Sequence, residues 1–107
     1  MVSADQGGVG DGREAAGRVV DNAPRSRFEL ELGGDTAVLN YTRRGQVLSL
    51  DHAGVPAAFE GRGVGSRLVA EALELVRSRG ERVIPRCSFV VAYMHRHREF
   101  DDLRADA

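Results

Sequence analysis

A glycine-rich turn joins a short apolar segment to an amphipathic helical pattern, and few folds accommodate this order. The turn carries Gly at 61, 63 and 65, and the apolar segment before it ends at Val55. Glycines let the backbone approach an oxygen atom closely, and the first N–H groups of a helix have no partner inside it. The sequence therefore predicts a strand, a turn and a helix that together bind a phosphate or pyrophosphate. The apolar residues that define one face of the helix are Leu68, Val69, Ala72, Leu73, Leu75 and Val76.

Two common phosphate-binding patterns fit this turn poorly. The Walker pattern needs a Lys after its last Gly, and the chain contains no Lys. The Rossmann pattern needs a third Gly or Ala where Ser66 stands, in a turn that directly follows a strand. Here Pro56 and a short spacer intervene between the strand and the turn. A nucleotide site of either type is therefore not indicated.

The spacing instead resembles the acetyl-CoA loop of the GNAT acetyltransferases, Arg/Gln-x-x-Gly-x-Gly/Ala after a strand with an apolar end. Gly63 and Gly65 fill the two glycine positions, and Val55 lies where the strand of the family ends. Glu60 occupies the Arg/Gln position, which is a departure from the pattern because a carboxylate repels a pyrophosphate. Arg62, two residues away, is placed to supply the missing positive charge.

Further segments along the chain resemble a group of short, single-domain GNAT-like proteins of the N-acetyltransferase-domain-protein type. The resemblance covers about residues 18–103, and its most specific part is an Ile-Pro-x-Cys-Ser element at residues 84–88. In chain order, the matching segments are residues 27–30, 37–41, 51–52 and 55–56, the glycine turn, and residues 83–89 and 97–100.

Composition agrees with one small domain in a reducing compartment. The chain has 107 residues, of which 42% are hydrophobic, and its formal net charge is −1, so no global field attracts nucleic acid or an acidic membrane. No apolar run is long enough to cross a bilayer, and no signal peptide pattern opens the sequence. The single Cys excludes an internal disulfide and favours the cytoplasm.

The pattern along the chain predicts an α+β fold with a mainly antiparallel sheet and two principal helices. Residues 1–16 read as a flexible tail, and residues 17–107 as the GNAT-like domain. The repeated glycines at 8–12 follow no strand and are not assigned a phosphate site. We expect strands near residues 19–20, 28–32, 36–43, 46–52 and 82–85, with helices at 65–79 and 88–97. Gly80 is expected to end the first helix.

The resemblance implies how acetyl-CoA lies on the domain. In GNAT folds the strand before the loop splays away from the next strand and leaves a V-shaped slot, which takes the pantetheine arm. The pyrophosphate then sits on the backbone N–H groups of the glycine turn. The residues that this implies for cofactor binding are Ala53, Val55, Gly61, Arg62, Gly63, Val64, Gly65 and Ser66.

Cys87 and His52 are the candidate catalytic residues. Cys87 follows a strand at the start of a helix, where a thiolate is stabilised, although a lone Cys is also often a small buried hydrophobe. His52 is a candidate general base because histidine is the residue type most often used for proton transfer, and the alternative is a histidine that fixes the strand end by a hydrogen bond. Tyr93 lies on the last predicted helix, and its favoured interpretation is core packing. The alternative is that it protonates the departing CoA thiolate, a role that the resemblance implies because a tyrosine fills it in many GNAT enzymes.

No metal site is predicted. His95 and His97 are two residues apart, and on a helix such positions face different ways. Arg96, Arg98 and Arg104 are interpreted as a solvated face, with contact to the 3′-phosphate of CoA or to an acidic partner as the alternative.

The resemblance implies an acetyl-CoA-dependent N-acetyltransferase whose acceptor is an amine. A protein lysine, a protein N-terminus and a small amine all remain open as acceptors, and neither a membrane nor a nucleic acid is an expected partner. Two alternatives are a CoA-binding regulatory protein without catalysis and a phosphate-binding or protein-interaction module that keeps the fold.

Overall fold

Apolar and polar residues alternate along residues 27–50, and the chain forms strands there because one side of each strand is buried. The computed structural model describes residues 17–106, so the predicted tail at 1–16 lies outside the described residues. The strands are β1 (Val20–Asn22), β2 (Arg27–Glu31), β3 (Thr36–Arg44), β4 (Val47–Gly54) and β5 (Arg82–Pro85). The helices are α1 (Val64–Ser78) and α2 (Ser88–Arg96), with short 3₁₀ helices at Ala23–Arg25, Ala57–Phe59 and Arg98–Leu103.

The five strands form one sheet in chain order, β1-β2-β3-β4-β5. The pairs from β1 to β4 are antiparallel, and β5 runs parallel to β4, which α1 makes possible as the crossover connection. The expected α+β architecture, with a mainly antiparallel sheet and two principal helices, is therefore confirmed.

Both helices pack on one face of the sheet. The helical pattern after the glycine turn places its apolar residues against this face, with Leu68, Val69, Leu73 and Val76 fully buried. As predicted, Gly80 stops α1, and its φ of 69° lies in the left-handed region. The N–H groups of Gly80 and Glu81 then donate to the carbonyls of Arg77 and Val76 in a Schellman arrangement. Within residues 17–106, the opposite face of the sheet carries no helix.

A bulge in β4 changes which side chains face the core. Asn40 on β3 lies opposite His52 and Tyr41 lies opposite Leu50, so Asp51 is an extra residue on β4. Leu50 is buried, while Asp51 and His52 are both exposed, and Ala53 returns to the core side. Strict alternation would have placed His52 in the core together with Leu50. The bulge therefore keeps two polar residues at the surface near the end of the strand.

The parallel pair of β4 and β5 ends at Leu50. Leu50 lies opposite Pro85, and its carbonyl accepts hydrogen bonds from the N–H groups of both Arg86 and Cys87 at 3.0 Å. From there the chain turns into α2, whereas β4 continues along β3 as far as Gly54. Beyond Leu50, the edge of β4 that faced β5 has no partner strand among the described residues.

Candidate active site

The turn at residues 61–66 presents unpaired backbone N–H groups. Gly63 is the N-cap of α1 with φ 78°, a left-handed conformation that a residue with a Cβ adopts at a cost. The first hydrogen bond of the helix runs from the Arg67 N–H to the Gly63 carbonyl at 3.0 Å. The N–H groups of Val64, Gly65 and Ser66 therefore have no acceptor within the helix, and no acidic side chain lies in its first turn. This arrangement suits an anion.

A groove of about 380 Å³ connects this turn to the end of β4. It contains seven of the eight residues that the resemblance implies for cofactor binding; the eighth, Arg62, instead places its guanidinium 5.8 Å from the ring centroid of Phe59. Three lining residues were not predicted as ligand contacts: Phe59, Glu60 and Phe89. The predicted lining residues are Ala53, Val55, Gly61, Gly63, Val64, Gly65 and Ser66.

Phe89 forms one wall of the groove. It lies in the first turn of α2, the residue is 38% exposed, and its ring rests against Gly65. A Cβ atom at residue 65 would lie 2.9 Å from Phe89 Cζ, closer than real Cβ atoms come to other atoms. Because the backbone of Gly65 is helical, its conformation does not require a glycine. The missing side chain instead allows α1 to pack closely on α2. The sequence feature that indicates this wall is a large apolar residue on α2 that the core does not need.

Glu60 is the acidic residue of the groove. It follows the 3₁₀ helix at Ala57–Phe59 and is exposed to solvent. In the described part of the chain no cation lies within 4.0 Å of its carboxylate. The groove therefore combines unpaired N–H donors, which favour an anion, with one carboxylate that opposes it.

Cys87 is the N-cap of α2 and packs partly buried against the core. Its N–H donates to the Leu50 carbonyl, which places its backbone at the point where β4 and β5 part. It is a free cysteine and makes no side-chain cap to the helix. The Ile-Pro-x-Cys-Ser segment, residues 84–88, thus runs from the last residues of β5 to the first residue of α2.

His52 lies on the open face of the sheet, opposite Asn40. Its imidazole extends over Gly54, where a Cβ would lie 3.7 Å from His52 Nε2. Cys87 packs toward the helix-covered side, so the two candidate catalytic residues flank the parting strands from different sides. No hydrogen bond joins their side chains, and neither of them lines the groove as the structure describes it.

Three other side chains considered in the sequence each contact a neighbouring side chain in the structure. Tyr93 is 5% exposed and its ring stacks on His97 at 4.1 Å between centroids. Arg98 pairs with Asp101 and Arg104 with Asp106. Within residues 17–106 no group of three or more His, Cys, Asp or Glu side chains is arranged to hold a metal ion.

Comparisons with known proteins identify relatives. The family model described as GCN5-related N-acetyl-transferase matches residues 27–103. Protein NATD1 from Mus musculus is 32% identical over 80 residues, which cover 72% of this chain and 73% of that protein. Residues 17–106 contain no helix with the length and apolarity required to cross a bilayer.

Proposed function

The chain belongs to the GCN5-related N-acetyltransferase family, and we propose that it transfers an acetyl group from acetyl-CoA to an amine. In this proposal residues 17–107 are the acetyltransferase domain. The family uses acetyl-CoA as its acetyl donor.

The observation that carries the proposal is that one groove unites two sets of unpaired backbone groups. At one end are the first N–H groups of α1 beside Gly63, which suit the pyrophosphate. At the other end lie Ala53 and Val55, next to the part of β4 that has lost β5 as its neighbour. A cofactor with a pyrophosphate and an amide-bearing arm matches both ends. The cofactor contacts proposed are Ala53, Val55, Gly61, Arg62, Gly63, Val64, Gly65 and Ser66.

The proposed reaction is a direct transfer at the parting of β4 and β5. The nitrogen of a neutral amine attacks the thioester carbonyl carbon, the carbon–sulfur bond breaks, and its electron pair leaves on sulfur. The amine proton passes to His52 or to a water molecule that His52 holds. Backbone N–H groups near Ala53 or Val55 polarise the carbonyl oxygen. Because Tyr93 is packed in the core, the thiolate is proposed to take its proton from solvent, and the protonated His52 returns the amine proton to solvent, so that the net products are the amide and the CoA thiol.

Cys87 is proposed to line the slot for the thioester. Its position at the N-terminus of α2 also suits a thiolate nucleophile, which would carry the acetyl group between CoA and the amine. Direct transfer is the simpler route, because it needs no covalent intermediate on the protein. A free cysteine at this position fits a reducing compartment, and we propose a cytoplasmic location.

Two measurements on the purified protein test the proposal. Calorimetric titration with acetyl-CoA should show one site, and Gly63→Val should weaken it while far-UV circular dichroism stays unchanged. Release of free CoA thiol is then followed with three acceptors: a lysine-containing peptide, a peptide with a free N-terminus and a small primary amine. Binding without thiol release for any acceptor would instead support a CoA-binding regulatory protein. Absence of binding would reject both functions and leave an interaction module.

A further inference from the structure

A second concave surface lies on the open face of the sheet, away from the helices. It has a volume of about 530 Å³ and spans β3, β4 and the end of β5. Val47 and Ile84 contribute its apolar part. We call this surface the open-face basin, and its polar side chains are Thr42, Arg44, Ser49, Asp51 and Arg86.

Hydrogen bonds fix the centre of the basin. Arg86 Nε donates to Ser49 Oγ at 2.9 Å, and Ser49 Oγ donates to Asp51 Oδ1 at 2.6 Å. Thr42 Oγ1 donates to Asp51 Oδ2 at 2.7 Å. Both oxygens of Asp51 are thus held by hydroxyl groups, and Arg86 is oriented through its Nε. Such a connected network holds its members in place before any ligand arrives.

The two arginines keep their terminal nitrogens available. In residues 17–106, neither Arg44 nor Arg86 has a carboxylate within 4.0 Å, and the terminal nitrogens of both make no hydrogen bond. The pKa of Asp106 is lowered chiefly by its hydrogen bond from Arg104. The charge of Arg86 makes only a smaller contribution to this lowering. A guanidinium in this state is a bidentate donor for a carboxylate.

The basin adjoins the proposed reaction centre along the strands. On the open face, the pairs His52–Asn40, Ser49–Thr42 and Val47–Arg44 follow one another along β4 and β3. Same-face positions on a strand are about 7 Å apart, so the arginine end lies about 7 to 14 Å from His52. Asp51 stands between the two ends. An extended peptide advances about 3.3 to 3.6 Å per residue, so this distance corresponds to about two to four residues.

We propose that the open-face basin binds an acidic side chain of a peptide acceptor, two to four residues from the amine that is acetylated. Asp51 then faces the cationic end of the acceptor, and Arg44 and Arg86 face its carboxylate. The spacing disfavours a free amino acid, whose amine and carboxylate are too close together to reach both ends. This inference rests on the proposed function, because it takes the reaction centre to lie near His52.

Peptide binding tests the basin separately from catalysis. Two fluorescent peptides of equal length are used, both N-acetylated and free of lysine, so that neither can be a substrate. One carries Glu at positions 3 and 4, and the other carries Gln there. Fluorescence anisotropy at 50 mM salt should show at least tenfold tighter binding of the Glu peptide, and the difference should shrink at 500 mM salt. Equal affinity for the two peptides would overturn the proposal.

Matched variants locate the effect. Arg44→Gln and Arg86→Gln should each reduce the preference for the Glu peptide by at least threefold, with thermal unfolding unchanged. Arg25→Gln is the control, because Arg25 is exposed on the 3₁₀ helix after β1, outside the basin. If Arg25→Gln lowers the preference for the Glu peptide as much as the basin variants do, the preference comes from net charge alone and the basin is rejected as its site.

The outcomes also separate this inference from the proposed function. Acidic preference without thiol release by any acceptor would uphold the basin as a peptide site and reject catalysis. Thiol release that is equal for matched acidic and neutral acceptor peptides would uphold catalysis and reject the basin.

Discussion

Gly65 in the first turn of α1 lies against the ring of Phe89 in the first turn of α2, with 2.9 Å between the position of a Cβ at residue 65 and Phe89 Cζ. The contact joins the two helices at the wall of the groove that runs from the glycine turn to the end of β4. The sequence pattern suggested that both glycines of the loop make room for the pyrophosphate. The structure divides the roles, because Gly63 has the left-handed backbone and Gly65 has the close neighbour.

Gly65→Ala should reveal this contact as a coupling between two residues. The added methyl group displaces the Phe89 ring, which costs about 1 kcal/mol of stability or more. In a Phe89→Ala background that cost is absent, and the alanine gains up to about 1 kcal/mol from helix propensity. Urea unfolding of the two single variants and the double variant should therefore give a coupling free energy of at least about 1 kcal/mol. Additivity within about 0.5 kcal/mol would show that the residues do not interact.

Gly63→Val should weaken acetyl-CoA binding at least about tenfold, or about 1.4 kcal/mol. The valine is strained at a φ of 78° and brings a branched side chain beside the N–H groups of α1. Gly33→Val is the matched control, because Gly33 has a φ of 73° in the turn between β2 and β3, outside the groove. Calorimetry should show both variants destabilised and only Gly63→Val impaired in binding. Equal affinities for the two variants would exclude the turn from the site.

Glu60→Gln should strengthen acetyl-CoA binding by about three- to tenfold. The carboxylate lines the groove and repels the pyrophosphate by about 1 kcal/mol at a solvent-exposed position. Because such a repulsion is screened, the gain should be larger at 50 mM than at 500 mM salt. Glu74→Gln, on the exposed side of α1, removes the same charge away from the groove and should leave the affinity unchanged. A weaker affinity for Glu60→Gln would mean that the carboxylate helps to bind the cofactor.

Tyr41→Phe should lower the free energy of unfolding at pH 7. It should also make that free energy decrease less as the pH becomes alkaline. The Tyr41 hydroxyl donates to Asp21 Oδ1 at 2.6 Å, a bond to a charged group worth about 1.5 to 3 kcal/mol. Burial raises the pKa of Tyr41, and the hydrogen bond to Asp21 raises it further. The unfolded chain therefore ionises first, near pH 10, so stability is fully present below that pH and is lost as the pH rises through the folded pKa.

Tyr93→Phe is the control for Tyr41. Burial also raises the pKa of Tyr93, followed by the charges of Glu99 and Glu74, but its hydroxyl makes no hydrogen bond within residues 17–106. Chemical denaturation from pH 7 to 11 should show a reduced alkaline loss in both variants and a loss at pH 7 in Tyr41→Phe alone. Equal stability of both variants at pH 7 would contradict the role of the Asp21 bond.

The sequence predicts the elements of the fold because each of them carries a local signal. The alternation at residues 27–50 and the helical spacing after residue 67 locate the strands and α1, and Gly80 ends the helix where expected. Helix α1 begins at Val64 and ends at Ser78, one residue from the predicted bounds at each end. The strand that was expected to end at His52 continues to Gly54, because pairing with β3 carries it past the bulge.

What the sequence does not predict depends on contacts between distant segments. The bulge at Asp51 exists because β3 and β4 shift their register, and no residue type in β4 signals it alone. The wall formed by Phe89 exists because α2 approaches Gly65. Phe89 and Gly65 lie 24 positions apart in the sequence. The placement of His52 and Cys87 on different sides of the sheet follows from that same bulge and from the turn into α2.

Cys87→Ser should distinguish a lining role from a covalent one. If Cys87 only lines the slot, Ser keeps the shape of the site, and thiol release should fall by less than about threefold. If Cys87 carries the acetyl group as a thiolate, the weak alcohol stalls the route and activity falls by orders of magnitude. We expect the mild effect in Cys87→Ser. In His52→Ala we expect thiol release to fall by about 10²-fold or more, since a general base contributes about 10²–10⁴-fold.

Mass spectrometry of the protein mixed with acetyl-CoA provides an independent check. An acetyl group on Cys87 that disappears when amine is added would establish the covalent route, and full activity in both Cys87→Ala and His52→Ala would place the reaction centre elsewhere.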